Sequence, residues 1–194
     1  MVNEALEGDQ PSSRRGLLLA AGAGLAGAAG LALAGCGKQS LRQQVHNSKP
    51  VLNADVDILN HLLHLEHVAI AAYTAGTPLL GPSMAKAGAL FLNDELSHAG
   101  DLAGLIRETG NKPIKPAPSY DLGHPRNTEE VLMLLHRVEQ AQIAGYLNAI
   151  PRLEPGMVKQ QVCSILANDA QHVAVVRLAL GQPAIPSAFV TGRE

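Results

Sequence analysis

Glu95-Leu96-Ser97-His98 decides how this chain reads, because its chemistry returns as Asp169-Ala170-Gln171-His172. A carboxylate and a histidine three residues apart share one face of a helix, so both can point into a bundle core at a common metal ion. One such pair carries little information. With 17 acids and 8 histidines in 194 residues, roughly 0.7 acid-x-x-His pairs arise by chance. Asp121-Leu122-Gly123-His124, in a proline-rich stretch, is a match of that accidental kind. The weight has to come from the surroundings.

Four helical patterns surround the motif. The first runs from about Asp55 to Ala75, with Asn53 or Asp55 as cap, stopped by Gly76 and Pro78. The second extends from Ser83, a suitable N-cap, to Thr109, closed by Gly110 and Pro113. The third starts at Asn127, which with Glu130 makes a capping-box pair, and ends at Pro151. The last begins near Pro155 and finishes at Leu180, before Gly181 and Pro183. Short connections join helices one to two and three to four, so each pair is expected to be antiparallel. Gly110 to Arg126 is long enough to run the length of a bundle at roughly 3.3 Å per extended residue. The fold class is therefore all-α, a four-helix bundle with one long crossover between helices two and three.

The two halves repeat each other. Leu65-Glu66-His67-Val68-Ala69-Ile70-Ala71-Ala72-Tyr73 aligns with Val138-Glu139-Gln140-Ala141-Gln142-Ile143-Ala144-Gly145-Tyr146, and Glu95 and His98 align with Asp169 and His172. Each half supplies one helix with a lone Glu and one with an acid-x-x-His. At about 100° per residue, Leu59, Leu62, Leu63, Ala69, Ile70 and Tyr73 fall within about 60° of Glu66. The same arc holds Leu132, Leu135, His136, Ile143 and Tyr146 around Glu139; Phe91, Leu102 and Ile106 around Glu95; and Val162, Ile165 and Val176 around Asp169. Four carboxylates and two histidines thus point into one apolar interior. Buried charge without a partner costs several kcal/mol per group, so mutual pairing or cations must compensate.

This constellation resembles the ferritin-like di-metal carboxylate proteins, over about Asp55 to Leu180. The resemblance implies Glu66, Glu95, His98, Glu139, Asp169 and His172 as ligands, with iron the metal it favours. Imidazole with carboxylate also suits manganese or zinc. Fe(II) oxidation by O2 or peroxide is the activity it implies, which would make the protein a ferroxidase-like enzyme. The alternative is a metal-free envelope protein, stress- or desiccation-associated, whose acids and histidines pair with one another. An iron-storing cage fits less well with a lipid anchor on every subunit. The fourth-helix acid is Asp169 where the family has Glu, one methylene shorter, which bears on whether a second ion is held. Tyr73 and Tyr146 follow their Glu by seven residues and are expected to pack with the hydroxyl on a carboxylate, a redox role being the alternative. His136 is a core histidine or a further residue beside the ligands. His61, His64 and His67 project outward, available to the surface or to a homodimer contact.

The N-terminal stretch reads as an address. Ser13-Arg14-Arg15-Gly16-Leu17-Leu18 resembles a twin-arginine signal, with Leu17 where Phe is commoner. An uncharged Gly/Ala/Leu run from Gly16 to Ala34 follows, and Leu33-Ala34-Gly35-Cys36 resembles a bacterial lipoprotein box. The expected organisation is a signal over 1–36, a polar tether over 37–54, a bundle over 55–181 and a tail over 182–194. Acylation of Cys36 would anchor the protein on the outer face of the cell membrane. An uncleaved helix is the alternative, since 19 uncharged residues can span a bilayer. Cys163 then stays as a lone cysteine and is expected to be a buried structural thiol. Aromatics are only 3% against 46% hydrophobic residues, which favours packed helices over a sheet. A formal net charge of −2 leaves no basic footprint for nucleic acid.

Overall fold

The computed structural model describes residues 51–154 and 156–194. The signal, Cys36, most of the tether and Pro155 lie outside the described residues. Among the described residues there are four long helices and no strands: α1 (Val56–Gly76), α2 (Pro82–Glu108), α3 (Thr128–Ala149) and α4 (Met157–Ala179). Single turns of 3-10 helix at Asn53–Asp55, Thr77–Leu79 and Ile150–Arg152 flank them. No helix among these residues is long and apolar enough to cross a membrane.

The helix ends follow local chemistry. Asn127 Oδ1 accepts from the Glu130 amide at 2.9 Å, while the Glu130 carboxylate accepts from Asn127 Nδ2 at 2.9 Å and the Arg126 amide at 2.8 Å. That reciprocal pairing is the expected start of α3. At the end of α4, Gly181 sits at φ 72°, and the Gly181 and Gln182 amides bond back to Leu178 O and Arg177 O. Glycine takes this left-handed closing position without the clash a Cβ would bring. Gly110, at φ 80°, closes α2 in the same manner.

Two caps differ from the sequence expectation. Ser83 is not the N-cap of α2, because Pro82 already occupies the first helical turn and Gly81 precedes it. Neither Asn53 nor Asp55 caps α1 with its side chain. Asn53 Oδ1 instead accepts from Asn111 Nδ2 at 2.9 Å, tying the start of α1 to the end of α2.

The crossover follows α1 from one end to the other. The Ile114 amide donates to Asn60 Oδ1 at 2.9 Å, the Tyr120 ring lies 6.0 Å from that of His64, and Thr128 Oγ1 donates to Leu79 O at 2.8 Å. This path starts α3 beside the C-terminus of α1, so the two run antiparallel. His124 of the accidental motif match lies in this strap, exposed and at φ 52°.

Within the bundle α1 packs on α2 and α3, and α4 on α3; α2 and α4 touch more sparsely. The α1–α3 contact is close because Gly76 and Gly145 leave room for Val131 and Leu65. The apolar interior forms two clusters. One gathers Val51, Leu59, Leu62, Leu102, Ile106, Leu153 and Val162; the other gathers Ala69, Ala72, Tyr73, Phe91, Leu135 and Val176. Val51 in the first cluster means that packing begins ahead of α1.

Candidate metal centre

A polar layer lies between the two apolar clusters, and all six expected side chains are in it. Glu66, Glu95, Glu139 and Asp169 are fully buried, His172 is 1% exposed and His98 is 9% exposed. One helix supplies each lone Glu and another each acid-x-x-His, so packing all four helices together closes the ring. Ligand atoms of Glu95, Glu139, Asp169 and His172 all lie within 4.8 Å of one another, as do those of Glu66, Glu95 and His98. Glu95 belongs to both groups. Asp169 reaches the layer despite its shorter side chain, with Oδ1 3.5 Å from His98 Nδ1.

The histidines turn Nδ1 inward. His172 Nδ1 is 3.2 Å from Glu95 Oε1 and 3.3 Å from Glu139 Oε1; His98 Nδ1 is 3.7 Å from Glu66 Oε2 and 3.8 Å from Glu95 Oε2. On its outer side His172 Nε2 meets Asp94 Oδ2 at 3.2 Å, and its ring stacks on Phe91 at 4.1 Å. A carboxylate behind a ligating imidazole fixes its tautomer and raises its basicity.

Each tyrosine crosses to the other half. Tyr73 donates to Glu139 Oε1 at 2.5 Å, and Tyr146 donates to Glu66 Oε1. The expected hydroxyl-on-carboxylate arrangement is present, reciprocal across the repeat. His136 is set against Arg177, with Nε2 3.4 Å from Arg177 Nη1, and not against the six. Cys163 is exposed, contrary to the expectation of a buried thiol. Its position about 120° from Asp169 at 100° per residue takes it off the core face of α4. His61 and His64 are exposed and His67 half-buried, as their outward angles require.

Sequence reasoning passed over Gln142. It is fully buried, and its Nε2 donates to Glu66 Oε2 at 3.1 Å and Glu95 Oε2 at 2.7 Å. The signal was there: Gln142 lies about 60° from Glu139 at 100° per residue, in the place Ala69 holds beside Glu66.

Burial governs the protonation of the layer. It pushes Glu66 up to about 8 and Glu139 up to about 7, even with His98 and His172 beside them, and raises Asp169 well above its ordinary value. Burial works the same way on Glu95, but the nearby His172 and His98 and the hydrogen bond from Gln142 prevail and hold it below the usual carboxylate range. For the histidines burial disfavours charge, yet Glu66 and Glu95 raise His98 to about 10, and Glu139 and Glu95 raise His172 to about 11.

The donor set fits a metal ion. Glu95 Oε1, Glu139 Oε2, both Asp169 oxygens, His98 Nδ1 and His172 Nδ1 are buried and satisfied by no hydrogen bond. Buried polar atoms in native proteins are nearly always paired, so such a convergent set of acceptors suits a cation. Mixed imidazole and carboxylate donors suit iron, manganese or zinc.

Comparison with known proteins agrees with this architecture. The chain is similar to a conserved hypothetical protein from Mycobacterium tuberculosis of known crystal structure, with a TM-score of 0.63 and 20% identity over 70% of this chain and 96% of that one. That likeness bears on the fold alone. No curated protein matches. A family model described as the ferritin-like domain matches residues 54–182, taking in all four helices, the crossover and the buried carboxylate–histidine layer. The chain belongs to the ferritin-like domain family.

Proposed function

We propose that this is an exported, membrane-anchored ferritin-like protein that binds iron at two positions sharing Glu95. Glu95, Glu139, Asp169 and His172 would hold one ion, and Glu66, Glu95 and His98 the other. The observation that carries this reading is the set of buried, unsatisfied ligand atoms converging in one layer. Iron(II) held there would be oxidised to iron(III), its electron passing to dioxygen or peroxide. The protein's own part is to orient the six ligands, with Tyr73, Tyr146 and Asp94 locking carboxylates and imidazole in place. The motif around Arg14 and Arg15 and the box ending at Cys36 support export and lipid anchoring.

Metal analysis of the full chain, as purified and after anaerobic Fe(II) addition, tests the reading. Wild type should retain iron that Glu95→Ala with His172→Ala does not; equal retention would sink it. Oxidation kinetics on addition of O2 or peroxide then separate an oxidase from a passive binder. Replacing Cys36 by Ala should release the protein from membranes.

One observation favours a second reading. Both histidines already stand 3.2–3.8 Å from buried carboxylates, so the layer can balance its own charge and serve a metal-free, structural envelope protein. Wild type that holds no metal at any pH would select it.

A further inference from the structure

The repeat makes the two halves nearly equivalent; besides Asp169, which stands where the other half has Glu95, a buried amide sets them apart. Gln142 aligns with Ala69; both are fully buried, but only Gln142 carries an amide. That amide faces the Glu66–His98 half, donating to Glu66 Oε2 and Glu95 Oε2. With Tyr146 on Glu66 Oε1, both oxygens of Glu66 are already occupied by protein donors. On the other half Glu95 Oε1, Glu139 Oε2 and both Asp169 oxygens have none. An N–H aimed at a carboxylate oxygen places positive charge where a cation would approach, and a hydrogen bond to a charged group is among the stronger kind.

We propose that Gln142 makes the centre unequal: one divalent ion is held tightly by Glu95, Glu139, Asp169 and His172, while the amide keeps the Glu66–His98 half from taking a second on equal terms. This deepens, and rests on, the metal-binding reading above. The second ion must displace the Gln142 hydrogen bonds, which sets its affinity about ten-fold or more below the first, the scale of losing a hydrogen bond to a charged group. Gln142 acts here as a positioning residue, through Glu66 and Glu95. The unpaired oxygen Gln142 Oε1 defines the competing geometry, in which a rotated amide would itself ligate the ion.

The test is an anaerobic Mn(II) titration of the full chain in detergent, followed by electron paramagnetic resonance. Wild type should take up one equivalent first, with the six-line signal of an isolated ion. Gln142→Leu, similar in size and without polar atoms, should gain about ten-fold or more in affinity for the second equivalent and show a spin-coupled pair. Gln142→Ala, which copies Ala69, serves if the leucine variant does not fold; tight binding of the first ion reports a folded centre. Two equal sites in wild type would overturn the proposal, as would a variant that titrates like wild type. A variant that loses affinity would identify Gln142 as a ligand and overturn it equally. A wild type that takes up no Mn(II) removes the metal-binding reading itself.

Discussion

His98 and His172 stand closest to the chemistry, and their protonation sets how the centre responds to pH. Raised to about 10 and about 11 by the carboxylates around them, both are imidazolium at neutral pH in the metal-free protein, and a metal ligand must give up the proton on its ligating nitrogen. Binding must therefore expel protons, and the apparent affinity should rise as pH rises from about 6 to about 9, toward those raised values. Calorimetry in buffers of different ionisation enthalpy would show net proton release on Mn(II) binding; an affinity flat in pH would contradict the assignment. Asp94 is the second residue to test, since its carboxylate backs His172 at 3.2 Å while remaining partly exposed. Asp94→Asn should lower affinity at the His172 half by about 10–100-fold with little loss of fold stability. Competition with a chromophoric chelator reads the first effect and thermal unfolding the second.

At the scale of the helices, α1 and α3 are brought together by missing side chains. A Cβ on Gly76 would lie 2.7 Å from Val131 Cγ1, and one on Gly145 would lie 2.4 Å from Leu65 Cδ1. Val131 is fully buried and β-branched, with one stiff rotamer, whereas Leu65 is partly exposed and can swing its methyl aside. Gly76→Ala should thus destabilise, because overpacking costs about 1–3 kcal/mol against a helix-propensity gain of about 1. Gly145→Ala should be close to neutral, and denaturant unfolding of the pair would separate them. Such contacts are not legible in sequence, where Gly76 reads as a stop signal although it closes α1 inside a helical conformation. What was legible had a period behind it: the repeat placed Glu66 and Glu139 on the apolar stripe, and the Asn127–Glu130 spacing marked the start of α3. The crossover too could be read from its prolines and its length. What escaped depended on partners elsewhere in the chain. Gln142 looks like an edge residue until Glu66 and Glu95 come from other helices to meet it. Ser83 looks like a cap until Pro82 proves to be inside the helix.

For the whole molecule, the consequence is a core divided by a charged layer. Two apolar clusters lie on either side of six ionisable groups, so folding must bring those groups out of water with each other, a few neighbours such as Tyr73, Tyr146 and Gln142, or a cation as compensation. Burial raises Glu66 from 4.5 to about 8 and Glu139 to about 7. A carboxyl group whose folded value lies above its unfolded one binds more protons when folded, so stability falls as pH rises from about 4.5 through these values. The histidines have the same sign but act later, their contribution being full below about 6.5 and lost only as pH rises through about 10 to 11. The chelator-treated chain should therefore lose thermal stability between about pH 5 and pH 8, and Glu66→Gln should flatten that slope by removing one of the carboxyl groups that burial raises, Asp169 being the third beside Glu139. A bound ion reverses the trend, because it binds only the folded layer and binds it better as protons leave. Mn(II) at about 100 times its dissociation constant should add about 2.7 kcal/mol, or several degrees in Tm for a bundle of this size. The gap between metal-free and metal-loaded melting curves should widen as pH rises toward 8. Curves that stay parallel across that range would mean the buried layer balances its charge internally and that no ion belongs to the native fold.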